Sequence, residues 1–188
     1  MADYRFETTW RLRAHQDDAW ALLADADTWP TWWPSVRKVE ELAPGTRDGT
    51  GRRLRYHFST RLPYTLTFEA QLVEVVEPSR LVAVASGELA GTWTCDLAPD
   101  GDDVLVRHVW AVRTTRRWMN VLAPLARPVF SWNHAALMQE GGDGFADRLG
   151  TTARIETGPA RSRPGLAFAG VAIAVAGWSL VRAARRRR

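Results

Sequence analysis

Residues 64–76 read YTLTFEAQLVEVV. Tyr64, Leu66, Phe68, Ala70 and Leu72 share one parity, while Thr65, Thr67, Glu69 and Gln71 share the other. Successive strand side chains point to opposite faces, so this stretch offers one apolar face and one polar face. The pattern predicts an antiparallel sheet covered on one side, because strands buried on both faces carry near-continuous apolar runs instead.

Outward from this stretch the same texture repeats. Strand-like runs cover Arg37–Leu42, Gly51–Thr60, Leu81–Glu88, Thr92–Ala98 and Val104–Thr114, separated by the turn signals PGTRDGTG, LP, EPS, LAG and PDGDD. Tyr4–Ala14 alternates in the same way and predicts one further strand. Between it and the meander, QDDAWALLADADTW places Asp17 and Asp18 in a first helical turn, and TWPTWWPSV is too rich in Pro for a regular element. From Arg116 the texture turns helical, with Trp118, Leu122, Leu125, Val129, Trp132 and Ala136 recurring as a stripe for packing on the sheet. Pro124 and Pro128 predict a kink or break in that helix. The fold class is therefore α+β: a curved antiparallel sheet of about six or seven strands around a long C-terminal helix, followed by a C-terminal apolar helix.

The charge of the chain is divided along its length. Residues 1–150 hold 17 basic and 20 acidic groups, whereas the remainder holds eight Arg against Glu156. The net +4 thus comes from the tail, and a nucleic-acid-binding domain is disfavoured. Residues 151–164 (TTARIETGPARSRP) read as a polar linker, which ends the domain near Gly150. Residues 165–181 (GLAFAGVAIAVAGWSLV) are uncharged and would span roughly 25 Å as a helix, the lower limit for a bilayer crossing. They predict a membrane helix, with 182–188 as a basic tail. MADYRFETTWRLRA has no apolar signal core, so the expected location is a cytoplasmic domain attached to the cell membrane by residues 165–188. The single Cys95 excludes an internal disulfide and any multi-cysteine zinc site. Oligomeric state is not legible.

Two segments, Asp27–Val36 (DTWPTWWPSV, followed by VEEL at 39–42) and Phe130–Leu149 (FSWNHAALMQEGGDGFADRL), resemble the helix-grip fold of the SRPBCC superfamily. That superfamily includes START lipid-transfer domains, birch-pollen-allergen-like proteins and the polyketide cyclase/dehydrase family. The resemblance covers about Tyr4–Leu149 and implies a sheet gripping the long helix over a deep apolar cavity. It implies the fold more firmly than the chemistry, because members range from ligand carriers to cyclases, and function belongs to the site rather than the fold.

The candidate site follows from strand parity. His108 shares a face with Val104, Val106, Trp110 and Val112, and Tyr56 with Leu54 and Phe58. These put His108, Trp110, Tyr56 and Phe68 on the cavity side, opposite Val129 and Asn133 on the helix. Asn133 and the adjacent His134 point about 100° apart, which predicts that only one of them faces the cavity. Trp29, Trp32 and Trp33 would form either an aromatic rim over the sheet opening or a plug, and Trp10, Trp20, Trp110 and Trp132 are expected in the core. His108 and Tyr56 have two readings: a satisfied buried histidine beside a core aromatic, or a general acid–base and an enolate-binding hydroxyl.

No nucleophile motif or metal-ligand spacing is present, and Gly141–Gly144 (GGDG) lacks the strand-before, helix-after setting of a dinucleotide loop. No cofactor and no metal are expected. The leading expectation is binding of a hydrophobic small molecule or lipid in an internal cavity at the membrane surface. The alternative is a polyketide cyclase/aromatase-like enzyme acting on a poly-β-keto or aromatic substrate through His108 and Tyr56. A third is a scaffold whose cavity is filled by its own aromatics.

Overall fold

The computed structural model describes residues 3–61, 64–114 and 123–159. Their order is β1 (Asp3–Leu12), α1 (Gln16–Ala24), a 3-10 turn (Ala26–Thr28), α2 (Trp29–Trp32), β2 (Val36–Ala43), β3 (Arg53–Ser59), β4 (Thr65–Val76), β5 (Arg80–Gly87), β6 (Leu89–Asp100), β7 (Asp103–Thr114), α3 (Ala123–Arg148) and β8 (Ala153–Pro159). Among the described residues the eight strands form one antiparallel sheet in the order β2-β3-β4-β5-β6-β7-β1-β8. Register shifts at Val36/Lys38, Glu41/Ala43 and Leu72/Glu74 introduce bulges, which bend a sheet and increase its twist. The curved sheet wraps one side of α3, as the helix-grip expectation required.

The parity of β4 holds. Phe68 is buried and Leu66, Ala70 and Leu72 lie on the covered face, while Glu69 turns outward to pair with Arg55 at 2.9 Å. On the same outer face His57 Nε2 meets Glu40 Oε2 at 2.8 Å. The covered face holds a core rich in aromatics, with Trp10 and Phe145 fully buried and their ring centroids 5.5 Å apart. Such ring pairs contribute roughly 0.5–1.5 kcal/mol beyond the area they bury.

Five expectations change. Trp29–Trp32, within the segment expected to be too rich in Pro for a regular element, forms the one-turn helix α2, with Pro30 in the first turn, where proline is tolerated. Ala153–Pro159, read from the sequence as linker, is strand β8, which pairs with β1 through Trp10↔Ile155 and Thr8↔Thr157. It covers the β1 edge and accounts for the eighth strand. The α3 stripe is displaced by one residue: Val129 and Trp132 are 42% and 54% exposed, whereas Phe130, Asn133, Met138, Phe145 and Ala146 are buried. Trp118 and Leu122 lie outside the described residues, as does the Leu125 side chain. The helix also runs through Pro128 without ending there. Lastly, no helix among the described residues is long and apolar enough to cross a membrane. The expected span at 165–181 lies outside the described residues, and the expected attachment to the cell membrane is not supported.

The tetrad GGDG has a packing role inside α3. A Cβ on Gly141 would lie 2.4 Å from the Trp33 ring, one on Gly142 2.4 Å from Ile155 Cδ1, and one on Gly144 1.7 Å from the Trp32 carbonyl oxygen. These positions let α3 approach α2 and β8 closely. Ser35, just after α2, reinforces the contact by donating its hydroxyl to Glu140 on α3.

Candidate functional site

A cavity of about 120 Å³ opens between the sheet and the middle of α3. Phe6 of β1, Phe58 of β3, Leu66 and Phe68 of β4 and Trp110 and Val112 of β7 form its sheet wall. Phe130, Asn133, His134, Leu137 and Met138 form its α3 wall, and Trp33 closes one end. No Lys, Arg, Asp or Glu lines it among the described residues. Asn133 Oδ1 accepts from the backbone N–H of Arg61 at 3.0 Å, which fixes the amide and leaves Nδ2 as its donor. His134 lies flat on Phe6, with centroids 4.3 Å apart and 18° between planes. Its Nε2 is covered and has no hydrogen-bond partner, and burial lowers its pKa to about 4.

Beyond Trp33 lies a second, smaller void of about 50 Å³. Trp29, Arg52, Tyr56, Trp93 and His108 line it, together with Leu and Ala residues of α1, the 3-10 turn and β3–β5. His108 sits against Trp10 at 4.2 Å between ring centroids and is stacked on Trp93 at 6.0 Å. Its Nε2 is buried without a partner. Burial, with a smaller repulsion from His134, lowers its pKa to about 3, so the ring is neutral near pH 7 and a weak base. Burial likewise holds the Tyr56 phenol well above its ordinary value, opposed in part by the charge of Arg52. Tyr56 stacks on Phe68 at 5.5 Å.

The candidate residues therefore fall into three groups. Asn133 faces the larger cavity, Tyr56, His108 and Trp29 face only the inner void, and Trp33, Phe68 and Trp110 face both. Val129 joins neither, since it lies on the exposed side of α3. The expectation that Asn133 and His134 cannot share the cavity fails for a geometric reason: Asn133 turns to the loop after β3 and His134 to β1, two walls of one space. Phe58 was legible from its parity with Tyr56 yet was not singled out, and His134 was missed because of the angular argument. Trp29, Trp32 and Trp33 are all buried and in mutual ring contact, so they are core residues of the α2 segment, and two of them also form cavity walls. No cluster of His, Cys, Asp or Glu among the described residues is arranged to hold a metal ion.

Comparison with known proteins agrees with this architecture. Residues 3–152 match the family model described as polyketide cyclase/dehydrase and lipid transport. A START superfamily protein from Mycobacterium smegmatis shares the fold at 14% identity and TM-score 0.64, covering 78% of this chain and 97% of that one. The Zhui aromatase/cyclase from Streptomyces sp. R1128 does so at 15% identity and TM-score 0.58, covering 78% and 96%. The di-domain ARO/CYC StfQ from the steffimycin biosynthetic pathway matches at 17% identity and TM-score 0.59, over 79% of this chain and 52% of that one. This chain thus spans about half the length of the di-domain protein. No curated protein sequence matches. With the family match extending from β1 to the start of β8, the chain belongs to the polyketide cyclase/dehydrase and lipid transport family.

Proposed function

We propose that the chain binds an uncharged hydrophobic small molecule or lipid in the cavity between the sheet and α3. One observation carries the reading: an aromatic and aliphatic enclosure whose α3 wall contributes two polar side chains, Asn133 and His134. Apolar enclosures with a few placed polar groups are the usual form of small-molecule sites. The wall supplies affinity through burial, and the Asn133 donor fixes the orientation of a ligand oxygen.

Cyclisation by His108 and Tyr56 has less support. Both lie behind Trp33, His108 is too weak a base at a pKa of about 3, and the Tyr56 phenol holds its proton tightly. The binding reading is tested on the full chain by solvent extraction with mass spectrometry and by titration with the uncharged fluorophore phenylnaphthylamine. Saturable binding that weakens in Leu137→Arg, which places a cation in the wall, is the expected outcome. Absence of saturable binding by the unmodified chain overturns the proposal.

A further inference from the structure

We infer that Trp33 is a fixed partition that sets how far a ligand can enter, which makes it a determinant of ligand length as well as a core residue. The inference rests on the binding reading above for its biological meaning, but its geometry stands independently. The outer cavity and the inner void share four wall residues: Trp33, Phe58, Phe68 and Trp110. Three of these project from the sheet. Trp33 alone comes from the opposite layer, at the C-terminal end of α2, and so it crosses the space that would otherwise be continuous.

The indole is held from several sides. Its Nε1–H donates to the Leu137 carbonyl of α3 at 3.0 Å. Trp32 stacks on it at 5.7 Å and 22°, and Trp10 and Phe58 meet it edge-on, each at 5.7 Å. Gly141 lies directly against the ring, where a Cβ would come within 2.4 Å. Turning the indole aside would break its hydrogen bond to α3 and disturb four ring contacts, the fourth being Trp29 at 5.6 Å. The partition therefore behaves as a wall rather than as a swinging gate. A ligand in the outer cavity meets Asn133 and His134, whereas Tyr56 and His108 line only the inner void on the other side of the indole.

The test uses the full chain, its Trp33→Leu and Trp33→Phe variants, and a series of straight-chain alkanols as probes, read by displacement of phenylnaphthylamine. For the unmodified chain, affinity should rise about fourfold per added methylene, the ratio expected for burying one such group, and stop rising at a limiting length. In Trp33→Leu the limit should move to longer chains, and in Trp33→Phe by less. An unchanged limit in a folded Trp33→Leu variant overturns the inference. Should Trp33→Leu fail to fold, Trp33→Phe and a second measurement decide. Crystals of the unmodified chain under xenon should show two separate sites, one on each side of Trp33, since dry apolar voids take up xenon. One continuous site, or none, also overturns it. Failure of the unmodified chain to bind any alkanol removes the binding reading instead, while the xenon sites still decide whether Trp33 divides the space.

Discussion

At the residue scale, Gly144 makes a sharp prediction. Alanine is favoured over glycine inside a helix by about 1 kcal/mol, so propensity alone would make Gly144→Ala stabilising. A Cβ there meets the Trp32 carbonyl oxygen at 1.7 Å, and backbone cannot give way as a flexible side chain can. Overpacking should prevail, lowering the urea midpoint by the equivalent of roughly 1–3 kcal/mol. Gly158→Ala is the control, because nothing lies within 4 Å of its Cβ position, and it should leave the midpoint nearly unchanged. Equal midpoints for the two variants would refute the close approach of α3 to α2. The buried histidines add a pH dependence. His108 and His134 are lowered to about 3 and about 4 from an ordinary 6.5, so the unfolded chain takes up their protons first. Their contribution is complete above about pH 6.5 and is lost as pH falls toward 4 and then 3. Hydrogen bonds from Lys38 and then His57 lower Glu40 to about 2 from 4.5, so its contribution is lost only below 4.5. Between pH 6.5 and 4.5 stability should fall by at most about 1.4 kcal/mol per pH unit for each histidine. Urea unfolding of His134→Gln should show a shallower fall than the unmodified chain, and identical slopes would remove His134 from the account. Strand parity made the inward His108 and Tyr56 legible. It gave no sign of the Trp10 and Trp93 rings that hold His108 neutral, because those contacts join residues distant in sequence.

At the element scale, the meander was legible because each strand pairs with its sequence neighbour and carries its own alternation. Strand β8 was not. In TTARIETGPARSRP only a few apolar side chains interrupt a polar run, so no period of two stands out from composition. The segment becomes a strand because the β1 edge offers it backbone partners, and Ile155 closes over Trp10 and Gly142. A domain boundary placed at Gly150 therefore cuts through the sheet. A chain ending at Gly150 should unfold at a clearly lower urea concentration than one ending at Pro159, because it bares the β1 edge and loses the Ile155 contact. Coincident transitions would mean that β8 adds no stability. The α3 stripe was misread by one position for a related reason. Val129, Trp132 and Ala136 satisfy helical spacing as well as Phe130, Asn133 or His134, and Leu137 or Met138 do. Only the neighbouring sheet decides which set is covered, and it left Trp132 exposed.

At the scale of the whole molecule, the resemblance carried in Asp27–Val36 and Phe130–Leu149 was enough to place sheet and helix. The size of the enclosure was not legible, because it depends on how far the aromatic side chains of six elements leave space unfilled. Charge is arranged consistently with an uncharged ligand. The ion pairs Arg55–Glu69, Arg52–Glu41 and Arg107–Glu7 lie outside the larger cavity, whose described lining holds no formal charge. His134, held neutral by burial, cannot supply one near pH 7. A carboxylate entering this space would lose its water without meeting a cation, and an unpaired buried charge is far more costly than a buried hydroxyl that finds a partner. A straight-chain alcohol should therefore bind at least about tenfold more tightly than the fatty acid of equal length at pH 7, a difference of about 1.4 kcal/mol. Its affinity should change little between low and high salt, since no screened ion pair contributes. At a concentration one hundred times its dissociation constant it should stabilise the fold by about 2.7 kcal/mol, visible as a raised unfolding temperature. Calorimetry with a matched alcohol and acid checks the preference directly. Tighter binding of the acid, weakened by salt, would require a cation facing the ligand and would reverse the assignment of an uncharged ligand to this cavity.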